Sequence, residues 1–167
     1  MKDFIKIPEI RKKLLKKDKK TKKLIEESTN TKLRINDDIM IEGESLDVYQ
    51  AKQVLKAFGR GFDVHDSLKL LDDEYTLEII DLSEFVKSRN RMVVLKGRII
   101  GTGGKTKKFI EKCTETKLSV FGKTISILGK WNKINVSKEA VMMLIRGCTH
   151  QTLYRWLEKQ QQKVEEW

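Results

Sequence analysis

The residues best suited to chemistry in this 167-residue chain lie in one stretch, Ile99-Ile100-Gly101-Thr102-Gly103-Gly104-Lys105-Thr106. Glycines lack Cβ atoms and let a backbone approach a ligand closely. A helix that starts after them turns exposed N–H groups and partial positive charge outward. That combination suits phosphate. Two phosphate motifs fail on spacing. A Walker A loop needs its first glycine five residues before Gly104, where the sequence has Ile99. The dinucleotide fingerprint G-x-G-x-x-G/A, begun at Gly101 and Gly103, puts Thr106 at its third small position. Both motifs also follow a strand, whereas Arg91–Ile100 carries Met92, Leu95 and Ile99 on one helical stripe. What fits is G-x-x-G between two helices, with Gly101 and Gly104 fixed and Thr102 and Gly103 between them. Lys96, Arg98, Lys105, Lys107 and Lys108 surround it with positive charge.

The other reactive residues form no site. His65 and His150 are too isolated to hold a metal with Cys113 or Cys148. Asp72-Asp73-Glu74 reads as an interdomain loop, because adjacent acids point in different directions. Met142-Met143-Leu144-Ile145 reads as core. Arg60, between Gly59 and Gly61, suits an RNA contact or an interdomain carboxylate equally. No catalytic residue, metal or cofactor is expected.

The charge points the same way as the loop. Lys and Arg number 35 against 24 Asp and Glu, a formal net charge of +11. Such a balance favours a polyanionic partner. Nine basic residues and one acid, Asp18, lie between Arg11 and Lys23. A division after Asp72 leaves +4 before it (17 − 13) and +7 after it (18 − 11), so both halves are basic. No apolar run approaches the roughly 20 residues that span a bilayer, and MKDFIKIPEI lacks the pattern of a secretory signal. Two cysteines 35 residues apart make no disulfide framework. The expectation is a reduced, soluble, cytoplasmic protein.

The elements that must position the loop occur twice. Thr21–Leu33 and Thr106–Leu118 are identical at nine of thirteen positions, at an offset of 85. Two copies of a small module account for this better than one large domain. Each copy reads as βααββα with helices on one face of a three-stranded sheet. The first comprises strand Phe4–Ile7, helices Glu9–Leu15 and Lys20–Ser28, strands Leu33–Ile35 and Ile39–Glu42, and helix Leu46–Phe58 with Ser45 at its N-cap. In the second these are Leu77–Leu82, Arg91–Ile100, Lys105–Thr114, Leu118–Phe121, Thr124–Leu128 and Val136–Ile145. A helix over Val64–Leu71 leads to the second copy, and His150–Val164 reads as a further C-terminal helix. Phe121-Gly122-Lys123 reads as a hairpin turn.

Helix–G-x-x-G–helix within a repeated βααββα order is the pattern of type I KH domains, which clamp about four nucleotides of single-stranded RNA or DNA. The fold class expected is therefore α+β, two tandem type I KH domains over 1–72 and 73–167. The rim position of such a turn makes Lys123 a candidate RNA contact, and Ile100 with strand Leu118–Phe121 a candidate floor for the bases.

Four segments together resemble the archaeal members of the Partner-of-NOB family, also called Dim-two: Lys96–Thr106, Ala57–Phe62, Leu70–Tyr75 and His150–Glu158. The resemblance covers nearly the whole chain. It implies a two-KH-domain assembly factor of the small ribosomal subunit, bound near the 3′ end of its rRNA on the nascent subunit. It also implies contact with the endonuclease that matures that end, and with the alpha subunit of initiation factor two. Tyr154, Arg155 and Trp156 become candidates for secondary contacts with RNA or protein. One departure stands out. The first copy has Lys16-Lys17-Asp18-Lys19 where the family usually has a glycine at each end of the loop. Lys16, Lys17 and Lys19 then suit diffuse RNA contacts or a protein surface. Lys107 stands where the generic KH consensus favours an apolar residue, and the family commonly places a basic one there. The competing expectations are a KH adaptor on other RNAs, such as messenger RNA or exosome substrates, and a small metal-dependent nuclease.

Overall fold

The computed structural model describes residues 1–165. The chain divides into two compact units, the first Met1–Tyr75 and the second beginning at Thr76. Among the described residues, no helix is long and apolar enough to cross a membrane.

The first unit runs β1 (Lys2–Ile5), α1 (Glu9–Lys17), α2 (Lys19–Thr29), β2 (Lys32–Ile35), β3 (Ile39–Glu42) and α3 (Ser45–Gly59). α4 (Val64–Leu68) and a 3-10 turn over Lys69–Leu71 follow. Its sheet order is β1-β3-β2, antiparallel throughout, with Phe4 opposite Met40 and Met40 opposite Arg34. Alternation along the strands sends Leu33, Ile39 and Ile41 inward, where they meet Leu15, Ile25, Ala51 and Leu55 of the helices. Full burial of each Leu or Ile is worth about 1.5–3 kcal/mol, so this small cluster is the main cohesive force of the unit.

The second unit repeats the plan: β4 (Tyr75–Asp81), α5 (Arg89–Ile100), α6 (Lys105–Thr114), β5 (Lys117–Phe121), β6 (Thr124–Lys130) and α7 (Ile134–Ile145). Its sheet order, β4-β6-β5, matches the first. α8 (His150–Glu165) is added to it, and Leu153 and Leu157 of that helix are fully buried in the core with Ile99, Ile110 and Leu144.

The repeated residues are repeated because they make the same bonds. The Thr29 hydroxyl donates to the Ile25 carbonyl at 2.6 Å and lies 2.7 Å from the Thr31 hydroxyl. Thr114 does the same with Ile110 and Thr116, at 2.6 and 2.8 Å. The carboxylate of Glu26 accepts the Leu33 N–H at 2.9 Å, and Glu111 accepts that of Leu118 at 3.0 Å. Both helices end on a left-handed residue, Asn30 and Glu115, each at φ 53°. The identities thus fix the turn from the second helix into the second strand.

Several boundaries differ from the sequence expectation. β1 lies two residues earlier than Phe4–Ile7, with Ile7 a buried core residue beyond its end. α3 takes in Ser45 as its first residue, so Glu44 stands at the N-cap and makes no side-chain capping bond. Gly59 stays inside α3 and lies against Ile7, where a Cβ would come 2.8 Å from the Ile7 Cγ2. The break comes at Gly61, at φ 101°. The expected helix Val64–Leu71 tightens into the 3-10 turn after Leu68.

Candidate nucleic-acid interface

In the second unit α5 stops at Gly101, whose φ of 75° belongs to glycine. Its missing side chain is required twice over. A Cβ at Gly101 would lie 2.3 Å from the Thr106 Oγ1 and 2.7 Å from the Thr106 backbone nitrogen. Gly103 and Gly104 follow at φ 61° and 78°. α6 therefore opens on a backbone turn with no side-chain cap over its N-terminus, leaving the positive end of the helix for an anion. Thr102 and Gly103 are exposed at the tip, and nothing lies within 4 Å of a Cβ built at Gly103.

Cations ring this turn. Lys105 and Lys108 are exposed on the first turns of α6, and Lys107 pairs with Glu111 at 3.3 Å. Lys96 reaches from α5 to the carbonyl of Gly122 at 2.7 Å, tying that helix to the β5–β6 turn where Lys123 is exposed. Ile100, Val120 and Phe121 are half-buried.

Four of the expected contact residues are also engaged within the unit. The Arg98 guanidinium donates to the Leu144 carbonyl at 3.1 Å and to the Cys148 carbonyl, satisfying carbonyls at the end of α7. Lys96 and Arg98, two positions apart on α5, cannot share one face of the helix, and Arg98 falls on the α7 side. Thr106 is 1% exposed, its hydroxyl 3.0 Å from that of Tyr154. The Tyr154 ring packs on Phe109 with centroids 4.4 Å apart, and Trp156 lies against the core, so both anchor α8. Arg155 remains exposed. His150, 2.8 Å from the Arg98 carbonyl, belongs to the same anchorage.

The first unit answers the same place differently. Lys16 and Lys17 complete α1 and Lys19 begins α2, all three exposed, so the expected four-residue loop shrinks to Asp18. Asp18 is the reason. Its carboxylate accepts the Lys20 and Thr21 N–H groups at 3.1 and 3.3 Å and the Thr21 hydroxyl at 2.7 Å. The Thr21 hydroxyl, then the backbone N–H groups, hold the Asp18 carboxyl below its ordinary value. A built-in carboxylate occupies the helix end that the second unit leaves open. Asp18 was legible as an N-cap residue preceding a helix, but it counts as a lone acid in a basic run if only charge is read. Arg11 was also hidden in that run. It donates to the Phe58 and Phe62 carbonyls at 2.8 and 2.7 Å, with its guanidinium 4.3 Å from the Phe58 ring centre. Arg60 is the cap residue of α3, its N–H bonded to the Lys56 and Ala57 carbonyls.

Residues 76–162 match the family model of the eukaryotic-type KH domain, KH-domain type I. A KH domain-containing protein of Methanocaldococcus jannaschii is 40% identical over 158 residues, covering 90% of this chain and 70% of its own. The pre-rRNA-processing protein pno1 of Aspergillus fumigatus is 33% identical over 121 residues, 70% of this chain; the match takes in 48% of that longer protein. A chain in the crystal structure of the a/eIF2alpha–aDim2p–rRNA complex of Pyrococcus horikoshii is 34% identical. It superposes with a TM-score of 0.88, covering 98% of this chain and 95% of that one.

Proposed function

The chain belongs to the Partner-of-NOB/Dim-two family, and from that membership we propose that it is a non-catalytic assembly factor of the small ribosomal subunit that binds single-stranded RNA. The second unit supplies the RNA clamp. Phosphates meet the Thr102–Gly104 turn and the start of α6, with Lys105, Lys108 and Lys123 around them, and bases lie against Ile100 and strand β5. The first unit, over 1–72, is the other half of a tandem of type I KH domains. Its capped helix leaves Lys16, Lys17 and Lys19 to diffuse contacts with RNA or protein.

One observation carries this reading: an α6 N-terminus opened by three positive-φ glycines with no side-chain cap. Backbone approach and a helix dipole serve a phosphate chain without regard to base. The RNA proposed is the 3′-terminal region of small-subunit rRNA. An rRNA and a/eIF2alpha accompany the Pyrococcus relative, and the Aspergillus relative is a pre-rRNA-processing protein. The endonuclease that matures the 3′ end, the alpha subunit of initiation factor two and a cytoplasmic site of action belong to the same proposal. Because one KH groove reads about four nucleotides, preference for this RNA needs surfaces beyond the loop. The test is competition at physiological salt between the ribosomal 3′-terminal oligonucleotide and a scrambled RNA of equal composition. The ribosomal sequence should win. Equal affinity would reject sequence recognition by this chain and favour an adaptor on other RNAs.

A further inference from the structure

The sheet of the first unit has an outward face that the glycine loop leaves unused. In β1 the outward residues are Lys2 and Phe4; Asp3 faces the helices, where Lys52 of α3 bonds it at 2.9 Å. The register continues both outward positions across the sheet. Lys2 stands opposite Glu42 and Glu42 opposite Lys32, while Phe4 stands opposite Met40 and Met40 opposite Arg34. The face is thus two rows, one Lys–Glu–Lys and one Phe–Met–Arg. Three cations stand against one carboxylate. Phe4 is 56% exposed, and among the described residues no side-chain hydrogen bond or ion pair engages Lys2, Lys32 or Arg34.

We infer that this sheet face is a second contact for single-stranded RNA, separate from the G-x-x-G turn. Sequence-tolerant single-strand binding needs an aromatic platform on which a base can stack, with cations beside it for the backbone. Neighbouring strands lie about 4.8 Å apart. Lys32 and Arg34 on β2 are therefore about 10 Å across the sheet from Lys2 and Phe4, with the base platform on one edge and cations on both. A positively charged face with one exposed ring favours a polyanion over an acidic peptide, because Met40 and Phe4 alone offer a protein little apolar area. The second unit differs on its β5 and β6 strands. At the matching positions Ser119 stands opposite Ser126, and Lys117 is opposite Leu128, which is 1% exposed. At these positions the two copies therefore differ: the first has Lys32 and Arg34 on β2 where the second has Lys117 and Ser119 on β5.

The test uses the whole chain carrying Thr102→Asp and Gly103→Asp, so that the loop does not mask the sheet. A short oligouridine substituted with thiouridine is crosslinked to it, and the adduct is mapped. Attachment at Phe4 or Met40 is expected. Adding Phe4→Ala or Arg34→Glu should lower the remaining affinity about tenfold, and Arg34→Glu should flatten the salt dependence by about 0.7 for the one phosphate it no longer neutralises. Phe4→Trp, which keeps a stacking ring, should retain affinity. Phe4 is exposed, so these changes leave the core intact. If the Phe4 and Arg34 variants bind RNA like their background and no crosslink reaches β1 or β3, the assignment is wrong and the face belongs to a protein partner. That failure is separate from failure of the loop, which would appear as parental affinity in the starting Asp-substituted chain.

Discussion

At the scale of single residues, a basic side chain next to a glycine loop has two different fates. Arg98 sits three positions before Gly101, yet its guanidinium donates to the Leu144 and Cys148 carbonyls. Lys105 and Lys108, on the other side of the loop, point to solvent. The two kinds of variant should separate cleanly. Arg98→Ala should cost about 1.5–3 kcal/mol, because the bonds it removes come from a charged donor, lowering the thermal midpoint by roughly 10 °C for a unit of this size. Replacing Lys105 and Lys108 by Ala should leave the midpoint nearly unchanged and flatten the salt dependence of RNA binding by about 0.7 for each phosphate left without its cation. Thermal melts beside a salt titration check both. An Arg98 variant with parental stability and weakened RNA binding would return that side chain to the interface.

At the scale of elements, the repeat was legible because its identities are bonding requirements. Thr29 and Thr31, Glu26 and Leu33 recur as Thr114 and Thr116, Glu111 and Leu118, each making the same hydrogen bonds. The βααββα order followed from that repeat, whereas the glycine loop was legible from its own residues. Side-chain direction did not. Lys16, Lys17, Asp18 and Lys19 look like a basic loop, since sequence charge does not reveal that one carboxylate can close two helices into a single-residue junction. Nor does a G-x-x-G pattern reveal that Thr106 and Tyr154 bond to each other across 48 positions. Those facts depend on packing between distant segments. The junction makes its own prediction. Asp18→Ala removes the carboxylate from the α2 N-terminus, so the variant should melt lower at neutral pH and bind RNA more tightly. The folded Asp18 carboxyl titrates below its ordinary value of 3.8. Its stabilisation is therefore present in full above that pH and lost as the pH falls through the folded value. The gap in melting temperature between parent and variant should close in acid below 3.8. A gap independent of pH would show that the carboxylate charge is not what caps the helix.

At the scale of the whole molecule, a net charge of +11 gives attraction to any polyanion but cannot by itself choose where the chain is held. The distribution decides. The first unit spends one helix end on Asp18 and spreads lysines along α1 and α2, whereas the second unit opens α6 with glycines and concentrates cations around that opening. Binding to RNA should consequently depend on the second unit far more than its share of the charge suggests. The most direct measurement is the affinity of the Thr102→Asp, Gly103→Asp chain for single-stranded RNA, alongside its circular dichroism and melting curve. Gly103 has open space around it, and Asp tolerates a left-handed backbone better than most residues, so the fold should persist. Two carboxylates facing phosphate can cost several kcal/mol. The expected result is a folded protein with affinity reduced by at least about a hundredfold; a folded protein that binds RNA as tightly as the parent would contradict the clamp.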